Sequence, residues 1–215
     1  MKRGLALDRG CFNPLGCPVK GVIFDYGGVL AEEGYVNTIS ALATSLGKDP
    51  ERTLRAAEEA VFASGYMVGK GTEGEFWGRF RELTGITLDD GTLREMVLKG
   101  FVLRPHMVEV VNKVRTRGIK TFILSDQTDW LEELDRRDRF FQLFDGVYNS
   151  YRTGYTKRQR EAFENLLSKE GLEPREALFV DDREENVKLA SSLGIHSIRY
   201  VTKDQFLGDF LEFWM

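Results

Sequence analysis

The sequence predicts an α/β protein, a doubly wound parallel sheet with a small helical segment inserted after the first strand. Three observations support this. Short apolar runs recur along the chain, and the strongest are continuous rather than alternating, as strands covered on both faces of a parallel sheet must be. Helical patterns fill the spaces between the later runs, which is the alternation of βαβ units. The stretch 35–100 departs from this, with helical patterns and no good strand.

In chain order, residues 1–18 come first and hold both cysteines, Cys11 and Cys17. No histidine lies near enough to complete a zinc set, so a loosely ordered extension with reduced thiols is expected. It has no long apolar stretch of the kind a signal peptide needs. VIF at 22–24 is the first strand. In the insertion, Ile39, Leu42 and Leu46 form a stripe ended by Gly47, and Leu54, Ala57, Val61 and Phe62 form another. Thr72 with Glu75 makes a capping box ahead of Phe76, Trp77, Phe80 and Leu83. Aromatics at helical spacing read first as core and only second as a pocket wall.

After the insertion, Val108, Val111 and Val114 precede a stop at Arg117-Gly118, and TFIL at 121–124 and GVY at 146–148 are strands. Phe163, Leu166 and Leu167 then run up to Gly171, before the strand ALFV at 177–180. Val187, Leu189, Ala190 and Leu193 run up to Gly194, before SIRYV at 197–201. Phe206, Leu207, Phe210, Leu211 and Trp214 suit a last helix docked on the sheet. The expected organisation is a core of residues 19–34 and 101–215 with residues 35–100 inserted.

Composition narrows the function. The chain has 215 residues, 30 basic against 34 acidic, for a net charge of -4. This length suits one domain, or one with a modest insertion, and needs no disulfide or metal staple to bury a core. A mildly acidic balance argues against a nucleic-acid binder. No apolar run approaches the ~20 residues of a membrane span, and the cytoplasm is the expected compartment.

In open parallel sheets the ligand lies beyond the carboxyl ends of the strands, so the polar residues that follow each apolar run matter most. Asp25, with Gly27 and Gly28 just past it, follows the first run. Ser125 and Asp126 follow the second, and Asp181 and Asp182 follow the fourth. Lys157 sits in the turn-rich segment after the third. Clustered carboxylates repel, and a hard divalent cation relieves that; Mg2+ suits a site with few protein ligands. A serine hydroxyl and an ammonium then suit a phosphate, which glycines let approach the backbone. An aspartate beside a metal can act as a nucleophile. Each residue also has a plainer reading. Asp181, Asp182 or Ser125 could cap a helix, and Lys157 could be a solvated lysine beside Arg158 and Arg160.

Four segments taken together resemble the haloacid dehalogenase superfamily in its phosphatase-like branch. They are GVIFDYGGVL at 21–30, TFILSDQTDWL at 121–131, YNSYRTGYTKRQREAF at 148–163 and ALFVDDREENV at 177–187. The resemblance implies a Rossmann-like core with a helical cap. It implies Asp25 as nucleophile, Ser125 and Lys157 as phosphate ligands, and Mg2+ held by Asp25, the Gly27 carbonyl and the acidic pair, with Asp182 the more direct of the two. Asn186 falls where the family carries a residue just outside the metal ligands. The expected substrate is a small phosphorylated metabolite, a sugar phosphate among the candidates.

Some positions depart from the family pattern. Gly27 stands where the family places a second aspartate as general acid and base, a group worth about 10^2–10^4 in rate. Activated leaving groups are therefore expected to outperform alkyl phosphates. Asp126 puts an extra negative charge near the phosphate, and reads as structural before it reads as a replacement acid. Arg158 either attracts phosphate or faces solvent, and His106 and His196 read as structural. A phosphate-sensing or partner-binding protein is the alternative function. A dehalogenase needs no acidic pair and fits less well. Sequence leaves the oligomeric state open.

Overall fold

The computed structural model describes residues 19–212, so the cysteines and Trp214 lie outside the described residues. Five parallel strands form one sheet: β1 (Gly21–Phe24), β2 (Lys120–Ser125), β3 (Gly146–Asn149), β4 (Ala177–Asp181) and β5 (His196–Arg199), in the order β3-β2-β1-β4-β5. Each strand matches an apolar run in the sequence. The last is shorter than its run, because Tyr200 and Val201 fall outside it.

Residue alternation explains why the runs are unbroken. Val22 and Phe24 of β1 join one buried cluster and Ile23 joins the other, so neither face of the strand meets water. The first face is covered by α5 (Pro105–Thr116), α6 (Trp130–Asp138) and α10 (Lys203–Glu212), and the second by α8 (Arg160–Glu170) and α9 (Glu184–Ser192). A short α7 (Ser150–Thr153) follows β3. On α5 the buried stripe is Met107, Val110, Val111 and Val114, with Val108 only half-buried at its edge.

Between β1 and α5 lie four helices: α1 (Gly34–Ser45), α2 (Pro50–Ala63), α3 (Glu73–Thr84) and α4 (Asp90–Gly100). The capping box is present, with Glu75 N donating to Thr72 Oγ1 and Thr72 N to Glu75 Oε2. Leu46 and Leu83 end their stripes exposed, because each sits where its helix terminates. These helices and one face of the sheet share a single apolar cluster. Trp77 stacks on Trp130 of α6, centroids 5.8 Å apart, and Tyr66 meets Trp130 edge-on.

Trp77 and Phe80 are fully buried and belong to this core, not to a cavity wall. Trp77→Ala should therefore cost about 3–5 kcal/mol, read as a lowered midpoint in chemical denaturation. No helix among the described residues is long and apolar enough to cross a membrane.

Candidate active site

Beyond the carboxyl ends of β1, β2 and β4, the structure gathers most of the residues the sequence singles out. Asp25 follows β1 directly and is held by its own backbone, its N–H donating to Val180 O at 2.9 Å. The residue is 7% exposed. Lys157, 2% exposed, places Nζ 2.5 Å from Asp25 Oδ2 and 2.6 Å from Asp181 Oδ2. A lysine this buried and doubly paired is not a solvated side chain. Asp126 accepts from the Lys157 backbone N–H at 2.8 Å, so its part is to fix the loop that presents the ammonium.

Asp181, fully buried, also accepts from Arg183 N at 2.8 Å and from Asn186 Nδ2 at 3.1 Å. It does not cap a helix: α9 begins at Glu184, with no side-chain cap bond at its N-cap, Arg183. Ser125 ends β2 and does not cap α6, whose N-cap is Asp129.

Asp25, Asp181 and Asp182 each present an oxygen, all within 4.8 Å of one another. Asp182 Oδ1 is buried and has no hydrogen-bond partner, which leaves it open to a cation. Gly28 adopts φ 78°, and a Cβ there would sit 2.5 Å from the Asp182 carboxyl carbon, so glycine is needed both for conformation and for space. Gly28 lies behind the site, its carbonyl accepting from Arg104, whereas Gly27 lines the cavity.

Electrostatics follow from burial. Removal from water raises the Asp25 carboxyl well above its ordinary range, Lys157 pulls it down, and Asp181 and Asp182 push it up again. Burial alone would lower Lys157, but Asp181, Asp25 and Asp126 hold it protonated, above its ordinary value. Burial, then Asp181, raises Asp182. Burial also raises Asp126. Three acids around one ammonium leave a net negative pocket that favours a divalent cation.

A cavity of about 450 Å3 opens in front of Asp25, Ser125 and Lys157. Its far wall comes from Tyr35, Val61 and Phe62 of the inserted helices, with Met67 and Trp130. Arg158 lies over the Phe62 ring, 4.4 Å from its centroid, and Arg183 reaches Glu58 at 3.7 Å. Both contacts tie the insertion to the sheet side of the cavity. His106 bonds Tyr200 and has no part in the cavity. Glu33 and Arg183 also line the cavity, although the sequence pattern did not single out either residue.

A five-stranded parallel sheet with a helical insertion after its first strand, and an acid-and-lysine cluster at the carboxyl ends of its strands, together define a class of α/β hydrolase. A family model, haloacid dehalogenase-like hydrolase, matches residues 19–194, and the chain belongs to that family. Acyl-CoA dehydrogenase family member 10 of Mus musculus is 34% identical over 109 residues, 49% of this chain and 10% of that protein. Enolase-phosphatase E1 of Shewanella pealeana is 30% identical over 115 residues, 49% of this chain and 48% of that one. The chain thus spans about half or less of the length of these curated relatives. D-ribitol-5-phosphate phosphatase of Bacteroides thetaiotaomicron is 22% identical over 190 residues, covering 84% and 91% of the two chains. Among solved structures, a HAD family enzyme of Bacteroides thetaiotaomicron superposes with a TM-score of 0.72 at 22% identity, over 89% of this chain and 98% of that one. The same enzyme in complex with magnesium and inorganic phosphate gives 0.69, with 89% and 99% covered.

Proposed function

We propose that the chain is a Mg2+-dependent phosphatase of a small phosphorylated metabolite, working through a phosphoryl group carried on Asp25. The observation that carries this reading is the single cluster of Asp25, Lys157, Asp181 and Asp182, joined by contacts of 2.5 and 2.6 Å and a 4.8 Å carboxylate triad. The relatives named as phosphatases, D-ribitol-5-phosphate phosphatase among them, support it.

Asp25, at the strand end, attacks phosphorus in line with the departing oxygen. Lys157, fixed by Asp181 and by the Asp126 contact to its backbone, neutralises the equatorial oxygens together with Ser125. Asp25 and Asp182, with the Gly27 carbonyl, would hold Mg2+, which when bound supplies charge neutralisation for a dianionic substrate. Asp181 stands nearby with both oxygens already engaged, so it positions Lys157 more than it ligates. The inserted helices close the cavity and select the leaving group.

Acetyl phosphate and 4-nitrophenyl phosphate should be hydrolysed in Mg2+ and not in EDTA. Mg2+ at about a hundred times its Kd should also stabilise the fold by about 2.7 kcal/mol, raising the thermal midpoint. Asp182→Asn should remove most of that shift. Equal hydrolysis in EDTA and Mg2+ would end the metal-dependent reading.

A further inference from the structure

Glu33 lines the same cavity as Asp25 and Lys157 and makes no direct ion pair among the described residues, although the Arg183 charge acts on it. The chain after β1 turns back on itself: Leu30 N donates to Asp25 O, Ala31 N donates to Tyr26 O at 2.8 Å, and Gly27 and Ala31 form a bridge. That turn returns residue 33 to the side of residue 27. Glu33 Oε2 lies 3.0 Å from where a Cβ on Gly27 would sit, and the Phe101 ring lies at 3.3 Å. Gly27 is not among the positive-φ residues, so its backbone does not demand glycine. What crowds a side chain in that space is the Glu33 carboxylate together with the Phe101 ring.

Of the other acids of the cavity, Asp126 accepts from the Lys157 backbone and Glu58 faces Arg183, while Glu185 makes no ion pair among the described residues but stands exposed on the first turn of α9. We propose that Glu33 is the proton donor to the departing oxygen and then the base for the attacking water, supplying from the returning loop what Gly27 cannot. This rests on the phosphatase reading above. In the first step the bond from phosphorus to the leaving oxygen breaks as an Asp25 oxygen bonds phosphorus, and the Glu33 proton goes to that oxygen, releasing an alcohol. In the second step water oxygen bonds phosphorus, the Asp25–phosphorus bond breaks, and the water proton returns to Glu33. Inorganic phosphate leaves and both carboxyl groups are restored.

Rapid-mix kinetics on Glu33→Gln with two probes tests this. With 4-nitrophenyl phosphate, which needs little help to leave, the variant should release about one equivalent of 4-nitrophenolate per enzyme and then slow by about 10^2–10^4 relative to wild type. With benzyl phosphate, whose alkoxide needs the proton, it should lose a similar factor with no burst. A second variant, Gly27→Asp combined with Glu33→Ala, puts a carboxyl back in the vacated space, and it should regain at least about tenfold over Glu33→Gln on both probes if proton transfer is the lost function. Should Glu33→Gln fail to fold, Glu33→Ala takes its place in the same comparison. Rates for Glu33→Gln within threefold of wild type on both probes, or equal slowing on both without a burst, would overturn the assignment. A wild-type enzyme inert towards 4-nitrophenyl phosphate in Mg2+ would instead remove the phosphatase reading, and the role of Glu33 with it.

Discussion

Replacing Asp25 with asparagine should abolish turnover, by at least about 10^4-fold, while leaving the protein as stable as wild type or slightly more so. The two halves of this prediction have one cause. Asp25 is held nearly out of water beside Asp181 and Asp182, and burial and those neighbours both resist its ionisation. Lys157 offsets this only in part, because the same ammonium also serves Asp181 at 2.6 Å. An amide of the same shape removes one buried negative charge, keeps the packing and leaves Lys157 paired with Asp181. The group that destabilises the folded state is the one that would attack phosphorus. Steady-state rates with 4-nitrophenyl phosphate, set beside thermal unfolding of the same samples, check both halves together. Retained turnover in a folded Asp25→Asn variant would rule out a covalent step at this residue. Turnover lost together with folding would make Asp25 a structural residue.

Much of the fold, and the acid-and-lysine cluster, were legible in the sequence for a topological reason. The strands are buried on both faces, so they show as unbroken apolar runs, and a parallel sheet places the residue after each run at the same edge. Asp25, Ser125 and Asp181 needed only that rule. Lys157 needed more, because it follows β3 by a short helix and a turn, and only the four ordered segments together pointed to it. Glu33 gave no signal of its own. It reaches the cavity through the returning turn between Asp25 and Ala31, which is closed by the backbone bonds Leu30 N to Asp25 O and Ala31 N to Tyr26 O, contacts that no side-chain pattern encodes. Arg158 and Arg183 likewise take their places through Phe62 and Glu58 of the inserted helices, contacts between segments distant in the chain. The helix-end leucines, Leu46 and Leu83, continued an apolar period past the point where packing ended.

Lys157→Met should be the most destabilising single change at this site. It leaves Asp181, fully buried, and Asp25, 7% exposed, with no cation between them. Breaking a buried pair from one side typically costs about 3–5 kcal/mol, because the remaining charge is stranded out of water. For a chain of this size that corresponds to a fall in Tm of roughly 10 °C or more. The loss should grow as pH rises. Lys157 is the chief influence lowering the Asp25 carboxyl, so without it that carboxyl rises further above its ordinary range. A carboxyl raised in the folded state binds its proton more tightly there than in the unfolded chain. It therefore contributes stability at low pH, and loses it as pH climbs through the raised value. Wild type keeps Lys157 charged across this window, because that group titrates only above its ordinary value. The gap in Tm between wild type and Lys157→Met should widen from about pH 5 to about pH 8, and Mg2+ should narrow it by supplying the missing positive charge. A gap that stays constant with pH and is unmoved by Mg2+ would mean that the ammonium contributes packing alone.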